Sequence, residues 1–243
     1  MDLTYTSMLA NLNIGSAHPG GFSTTKEVWQ KIKHFPFKTI LDAGCGTGQT
    51  LKYLSTVSNA RLIGVDHHPT MIEKAKEHLQ DKDVELILAD LQALPLADES
   101  VDCILSESVT SFNQIDSLLA EFHRVLRTEG VFYFNEICTA DLLSEDERSD
   151  LNQFYGTKQI LAKSEWLDYI NASGFDVLDT RVIPPSRSGK VDIELNSDTD
   201  QIYIEFLTYH FQTIEKLKNK LIGLQVICQK KAPKEVDDAN HSN

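Results

Sequence analysis

Three glycines at alternate positions, Gly44, Gly46 and Gly48, follow the apolar run Thr39-Ile40-Leu41 and a single acid, Asp42. Glycine has no Cβ, so such a loop lets a ligand lie against the backbone, and a helix starting there turns free N–H groups toward it. A dinucleotide loop of the G-x-G-x-x-G type would need glycine at position 49, where Gln49 stands. Asp42 is badly placed for a pyrophosphate and suits an ammonium group. Two further acids close apolar runs. Asp66 follows Leu62-Ile63-Gly64-Val65, and a carboxylate there can accept from both hydroxyls of a ribose. Asp90-Leu91 follows the run 84–89; the acid can accept from an exocyclic amine and the neighbouring N–H can reach a ring nitrogen. Together the three tips describe one ligand with an amino acid at one end and adenosine at the other.

These residues sit in the stretches LDAGCGTG (41–48), GVDHHPTMIEKAK (64–76), LADLQALPLADESVDCIL (88–105) and RVLRTEGVFYF (124–134). Over about 38–137 the chain resembles the class I S-adenosylmethionine-dependent methyltransferases, in particular small-molecule enzymes of the methyltransferase-domain 11/25 type. The resemblance implies S-adenosylmethionine as cofactor, held by Asp42, Gly44, Cys45, Gly46, Gly48, Asp66, His67, Met71, Asp90, Leu91 and Ser106. It also implies in-line transfer of a methyl group to a small-molecule acceptor. A domain that binds the cofactor without catalysis, as a sensor or partner subunit, is the second reading, and a nicotinamide-dependent oxidoreductase the third; Gln49 argues against the latter.

The acceptor side is less legible, because a sulfonium methyl is already activated and placement does most of the work. Position after the fourth strand nominates Ser106, Glu107 and Ser108, with Glu107 as base or acceptor-orienting group; binding the cofactor ammonium or organising the loop are its alternatives. His18, in the leader loop His18-Pro19-Gly20-Gly21, is an acid or base candidate, or part of a rigid turn. Asn135 and Glu136 end the fifth strand, and alternation would turn one of them into packing. Tyr203 and His210 belong to an aromatic stripe that is either pocket wall or ordinary core.

The elements that must position these residues follow from periodicity. Strands are expected at 38–42, 61–65, 84–89, 101–106, 131–137, 175–182 and 222–229, with helices at about 47–56, 69–80 and 114–127, the last ended by Gly130. Ahead of them, Tyr5, Met8, Leu9 and Leu12 have helical spacing, and Thr24-Thr25-Lys26-Glu27 has the form of a capping box opening a helix to His34. Residues 139–162 look irregular or short-helical, Ser164 caps a helix ending at Gly174, and 183–190 is a loop. The class is α/β: a Rossmann-like, mostly parallel sheet with helices on both faces. The resemblance adds that a seventh, antiparallel strand closes such sheets, and 221–230 is similar to it. One domain is expected over 1–231, made of an N-terminal lid and helices (1–34), a cofactor-binding core (38–137) and a C-terminal part (139–231) with a helical insert at 199–219; 232–243 reads as a disordered tail.

Composition narrows the partners. A net charge of -13 repels phosphate backbones and makes nucleic acid a poor partner. The four cysteines lack chelating spacing, the eight histidines form no ligand motif, and no metal site is expected. The cysteines read as reduced packing residues. Without a basic, apolar leader or a membrane-length stretch, the expectation is a cytoplasmic protein with no membrane partner. The residues carry no signal for oligomeric state.

Overall fold

The computed structural model describes residues 4–12, 14–140, 143–184 and 201–232. Strands β1 (Thr39–Ala43), β2 (Arg61–Asp66), β3 (Val84–Leu88), β4 (Val101–Glu107) and β5 (Leu126–Thr139) are mutually parallel. After β6 (Phe175–Ile183), β7 (Leu221–Lys230) runs antiparallel between β5 and β6. All seven join one sheet in the order β3-β2-β1-β4-β5-β7-β6. The chain reverses direction across the sheet between β1 and β4, which is where ligands of such sheets bind, beyond the carboxyl ends of the strands.

Alternate residues of each strand enter opposite cores. On one face Leu41, Ile63, Ile104 and Phe132 pack under α5 (Ile115–Val125) and α7 (Lys163–Ala172). On the other, Ile40, Leu62, Cys103 and Tyr133 pack under α2 (Gly21–Ile32), α3 (Gln49–Val57) and α4 (Pro69–His78). Burial on both faces explains why the central strands read as near-continuous apolar runs. A third cluster joins α1 (Tyr5–Asn11), α6 (Glu145–Tyr155) and α8 (Gln201–Lys216) through Tyr5, Tyr155 and Ile214, with Leu217 just past α8 and Leu221 of β7. All four cysteines are buried and unpaired.

Several expected boundaries are corrected. Helix α2 starts at Gly21, not after Thr24: Gly20 takes φ +79°, the His18 carbonyl accepts from Gly21 N–H, and Thr24 lies inside the helix with its hydroxyl donating to the Gly21 carbonyl. The two glycines let the chain turn early, so no capping box forms at Thr24. Helix α5 ends at Val125, and Gly130 lies within β5, where the register jumps from Leu126 opposite Val101 to Val131 opposite Cys103. The irregular stretch contains α6, an 11-residue helix opened by a capping box between Ser144 and Glu147. Helix α7 begins at Lys163; Ser164 is not its cap, and the Glu165 carboxylate instead accepts from Ala162 N–H at 2.6 Å. The insert helix runs 201–216, with 199–200 outside the described residues. Beyond Ile183 and Pro184, the loop to 190 lies outside them too, as does the tail apart from Ala232.

Candidate functional site

At the carboxyl ends of β1 and β4 the structure encloses a cavity of about 640 Å³. Its floor is the glycine loop. Gly44 takes φ +78°, and a Cβ there would stand 2.3 Å from Val109 Cγ2. Gly46 takes φ +51° and faces open space, its nearest neighbour to a built Cβ being Met71 Sδ at 4.0 Å. Gly48, at φ +81°, is the N-cap of α3, and a Cβ would meet Leu79 Cδ1 at 2.8 Å. The first and third glycines thus serve backbone packing, and the middle one keeps the cavity clear.

The three acids line this one cavity. Asp42 is buried, and its Oδ2 has no hydrogen-bond partner among the described residues. Burial, then the nearby Glu107 and Asp66 carboxylates, hold its carboxyl well above the usual range. Asp66 accepts from Gly46 N–H through Oδ2 and from His68 N–H through Oδ1, both at 2.9 Å, which ties the tip of β2 to the glycine loop. Asp90, exposed, accepts from Gln92 N–H at 2.9 Å, and Leu91 beside it is buried. Cys45, His67 and Met71 also line the cavity, whereas Gly48 and Ser106 do not; Ser106 is fully buried, 3.2 Å from Thr110 Oγ1.

Glu107 ends β4 against the leader. Its carboxylate accepts from Thr25 Oγ1 at 2.8 and 3.0 Å and from Thr50 Oγ1 at 3.3 Å, and His18 Nε2 lies 3.5 Å away. The orientation of His18 follows from its other neighbours. Asn135 Nδ2 lies 2.8 Å from the Pro19 carbonyl, which only accepts, so that atom is the amide nitrogen. The same nitrogen is 3.0 Å from His18 Nδ1, which must therefore accept as well. The neutral imidazole then carries its proton on Nε2, toward Glu107 and Thr25. Pro19 itself docks where β7 has no side chain: a Cβ on Gly223 would be 2.3 Å from Pro19 Cβ.

Beyond Glu107 the wall changes character. Glu136 is buried but committed, accepting from Val109 N–H at 2.8 Å, Thr110 N–H at 2.7 Å and Ser111 Oγ at 2.7 Å; burial raises its carboxyl while these donors oppose the rise. It fixes the turn after β4 and is occupied, whereas Asn135 reaches the leader through Nδ2 while its buried Oδ1 has no hydrogen-bond partner among the described residues. His210 lines the cavity and pairs with Tyr155 Oη at 3.0 Å; Tyr203 does not line it, and its hydroxyl accepts from Asn11 Nδ2 at 2.8 Å. Thr25, Thr50, Tyr5 and Tyr155 are site residues that sequence reasoning missed. The pattern Ser144-x-x-Glu147 was a signal for α6 and hence for Tyr155 at its end; nothing local marks Thr25 or Thr50.

A family model described as a methyltransferase domain matches residues 41–134. The chain is 34% identical over 216 residues to the uncharacterized methyltransferase YodH of Bacillus subtilis (strain 168), covering 87% of this chain and 92% of YodH. It is 32% identical over 129 residues to a malonyl-[acyl-carrier protein] O-methyltransferase of Hamiltonella defensa, a match that spans about half of each, 50% and 49%. Among solved structures, Haemonchus contortus phosphoethanolamine N-methyltransferase 2, in complex with phosphomonomethylethanolamine and S-adenosylhomocysteine, superposes with a TM-score of 0.76. That match covers 94% of this chain and 58% of the other at 16% identity, a likeness of fold.

Proposed function

The chain belongs to the class I S-adenosylmethionine-dependent methyltransferases, and from that premise we propose that it transfers the cofactor's methyl group to a small-molecule acceptor held beyond the β4 and β5 tips. The observation that carries this reading is the convergence of Asp42, Asp66 and Asp90 on one cavity, with an unpartnered oxygen on buried Asp42.

Two features fit the cofactor. The lone Asp42 oxygen sits among further acids, where a cation is wanted and no side chain of the described residues supplies one. The open flank of Gly46 is a cradle that any Cβ would begin to fill. In this reading Asp42 receives the ammonium group, Asp66 the ribose hydroxyls, and Asp90 with Leu91 the adenine edge. Gly44, Cys45 and Gly46 offer backbone, and His67 and Met71 flank the nucleoside. When bound, the cofactor supplies a methyl group already activated on a positively charged sulfur.

The chain's own residues then place the acceptor and handle its proton. Glu107 is the group proposed to take that proton or to orient the acceptor, and Thr25 and Thr50 fix its carboxylate. His18 is proposed as a positioning residue: with Nδ1 occupied by Asn135, its Nε2–H supports Glu107 and its ring closes the leader over the site. Closing such a site excludes water and strengthens each charge interaction within it.

Incubation with methyl-labelled S-adenosylmethionine and a metabolite extract tests the proposal. Label transferred to a small molecule supports it. Tight cofactor binding with no transfer to any acceptor would instead support a binding subunit or sensor.

A further inference from the structure

The cavity joins two ends of one sheet edge. Asp66 and Asp90 come from the tips of β2 and β3, while Ile137 and Leu221–Gly223 come from β5 and β7, on the other side of β1 and β4. That second end is roofed by α1, α6 and α8. Building on the methyltransferase reading, we propose that it takes a small, uncharged, largely apolar methyl acceptor bearing one oxygen that accepts a hydrogen bond from the Tyr155–His210 pair.

Charge excludes the alternatives. Among the described residues, the cavity lining carries five carboxylates (Asp42, Asp66, Asp90, Glu107 and Glu136), one ammonium, on exposed Lys158, and no arginine. A phosphate or carboxylate on the acceptor would be desolvated beside like charges, with no forked donor to meet it. An ammonium acceptor fares little better at this end. Glu136, the one lining carboxylate on the β5–β7 side among the described residues, already holds three donors and offers no free face as Asp42 does, while Glu107 stands at the junction on β4. The remaining wall is apolar, with Leu207, Phe211, Ile214 and Ile222 among its members. A charge buried against it would lose its hydration with no partner in return.

The polar exception defines the acceptor's oxygen. Tyr5 packs edge-on against Tyr155 at 4.9 Å and stacks on His210 at 5.7 Å, so the pair is held in an aromatic box. Burial holds the His210 imidazole down at about 4 and pushes the Tyr155 phenol up, so both are neutral near pH 7. A neutral imidazole and a neutral phenol own two protons and share one hydrogen bond. Whichever of them donates to the other, one N–H or O–H remains for a ligand. Size sets the last limit. About 640 Å³ lies within the range of roughly 300–1,000 Å³ for a single small-ligand site, and here cofactor and acceptor must share it.

The test uses the whole chain saturated with S-adenosylhomocysteine and three probes that share the naphthalene ring system: 2-naphthol, 2-naphthyl phosphate and 2-naphthylmethylammonium. Calorimetric titration is expected to give 2-naphthol a dissociation constant at least tenfold below either charged probe. Single removal of Tyr155 or His210 leaves one donor, so the informative variant is Tyr155→Phe with His210→Leu. It should bind 2-naphthol at least fivefold more weakly and S-adenosylhomocysteine as before. Equal or tighter binding of a charged probe, no binding of 2-naphthol, or an unchanged double variant would overturn the proposal. If the double variant does not fold, the wild-type preference alone decides. Failure of wild-type protein to bind S-adenosylhomocysteine would overturn the methyltransferase reading as well. Intact cofactor binding without a preference for 2-naphthol overturns the acceptor class alone.

Discussion

The two ends of the cavity are built by different means. At the β1–β3 end the contacts come from backbone and from one acid per strand tip, each a few residues from the turn that aims it. At the β5–β7 end they come from side chains of three helices far apart in sequence; Tyr155 and His210 are 55 residues apart. The first end is a local device that any chain of this fold can carry. The second is a tertiary product, so it is where relatives with the same sheet can differ in acceptor. Fold similarity therefore bears on the cofactor and not on what is methylated.

Substitutions at the junction should separate the ends most strongly. Glu107→Gln is expected to slow methyl transfer by roughly 10²–10⁴-fold, the usual worth of a positioned acid or base, while cofactor affinity stays within a few-fold. Single-turnover rates with labelled cofactor check this; an unchanged rate would remove Glu107 from the chemistry. At the cofactor end, Asp66→Ala should weaken S-adenosylhomocysteine binding by about 1–3 kcal/mol, the cost of losing charged hydrogen bonds. Because Asp66 also holds Gly46 and His68, part of that loss should appear as a less ordered glycine loop, read by amide hydrogen exchange at residues 44–48.

Asp42 gives the comparison a pH axis. Its carboxyl is raised in the folded chain by burial, Glu107 and Asp66, whereas in the unfolded chain it titrates near about 3.9. Between those two values the folded state binds the extra proton, so this group makes the cofactor-free protein less stable as pH rises through the folded value and more stable as pH falls toward the unfolded one. Urea midpoints measured from pH 5 to pH 8 should decline toward the alkaline side, and Asp42→Asn should flatten that decline while weakening cofactor binding. An identical slope in the variant would deny Asp42 this role. The smallest effect is expected at Tyr203→Phe. Its hydroxyl meets Asn11 outside the cavity, so stability should fall by only about 0.5–1.5 kcal/mol, the net worth of one hydrogen bond, with KM for any acceptor unchanged.

What could be read from the sequence follows the same division. The glycine loop, Asp42, Asp66 and Asp90 were legible because each lies next to the strand that aims it, and the apolar runs identified that strand. Ser106 was grouped with Glu107 by proximity, yet adjacent strand residues point to opposite sides, and only Glu107 meets the cavity. Asn135 was legible as polar at a strand end, but its partners, Pro19 and His18, lie more than a hundred residues away. Gly130 looked like a helix cap because α5 passes directly into β5, where a register shift takes the place of a loop. Of the β5–β7 end, Glu136 and the aromatic stripe of α8 were visible, but the stripe's spacing could not distinguish His210, which faces the cavity, from Tyr203, which does not.

The central claim is that the first three strand tips hold one adenosine-bearing cofactor. Parallel calorimetric titrations of S-adenosylhomocysteine and NAD into the same wild-type protein test it most directly. The account predicts one S-adenosylhomocysteine site per chain and no heat from NAD. Saturable binding of NAD with no response to S-adenosylhomocysteine would contradict it.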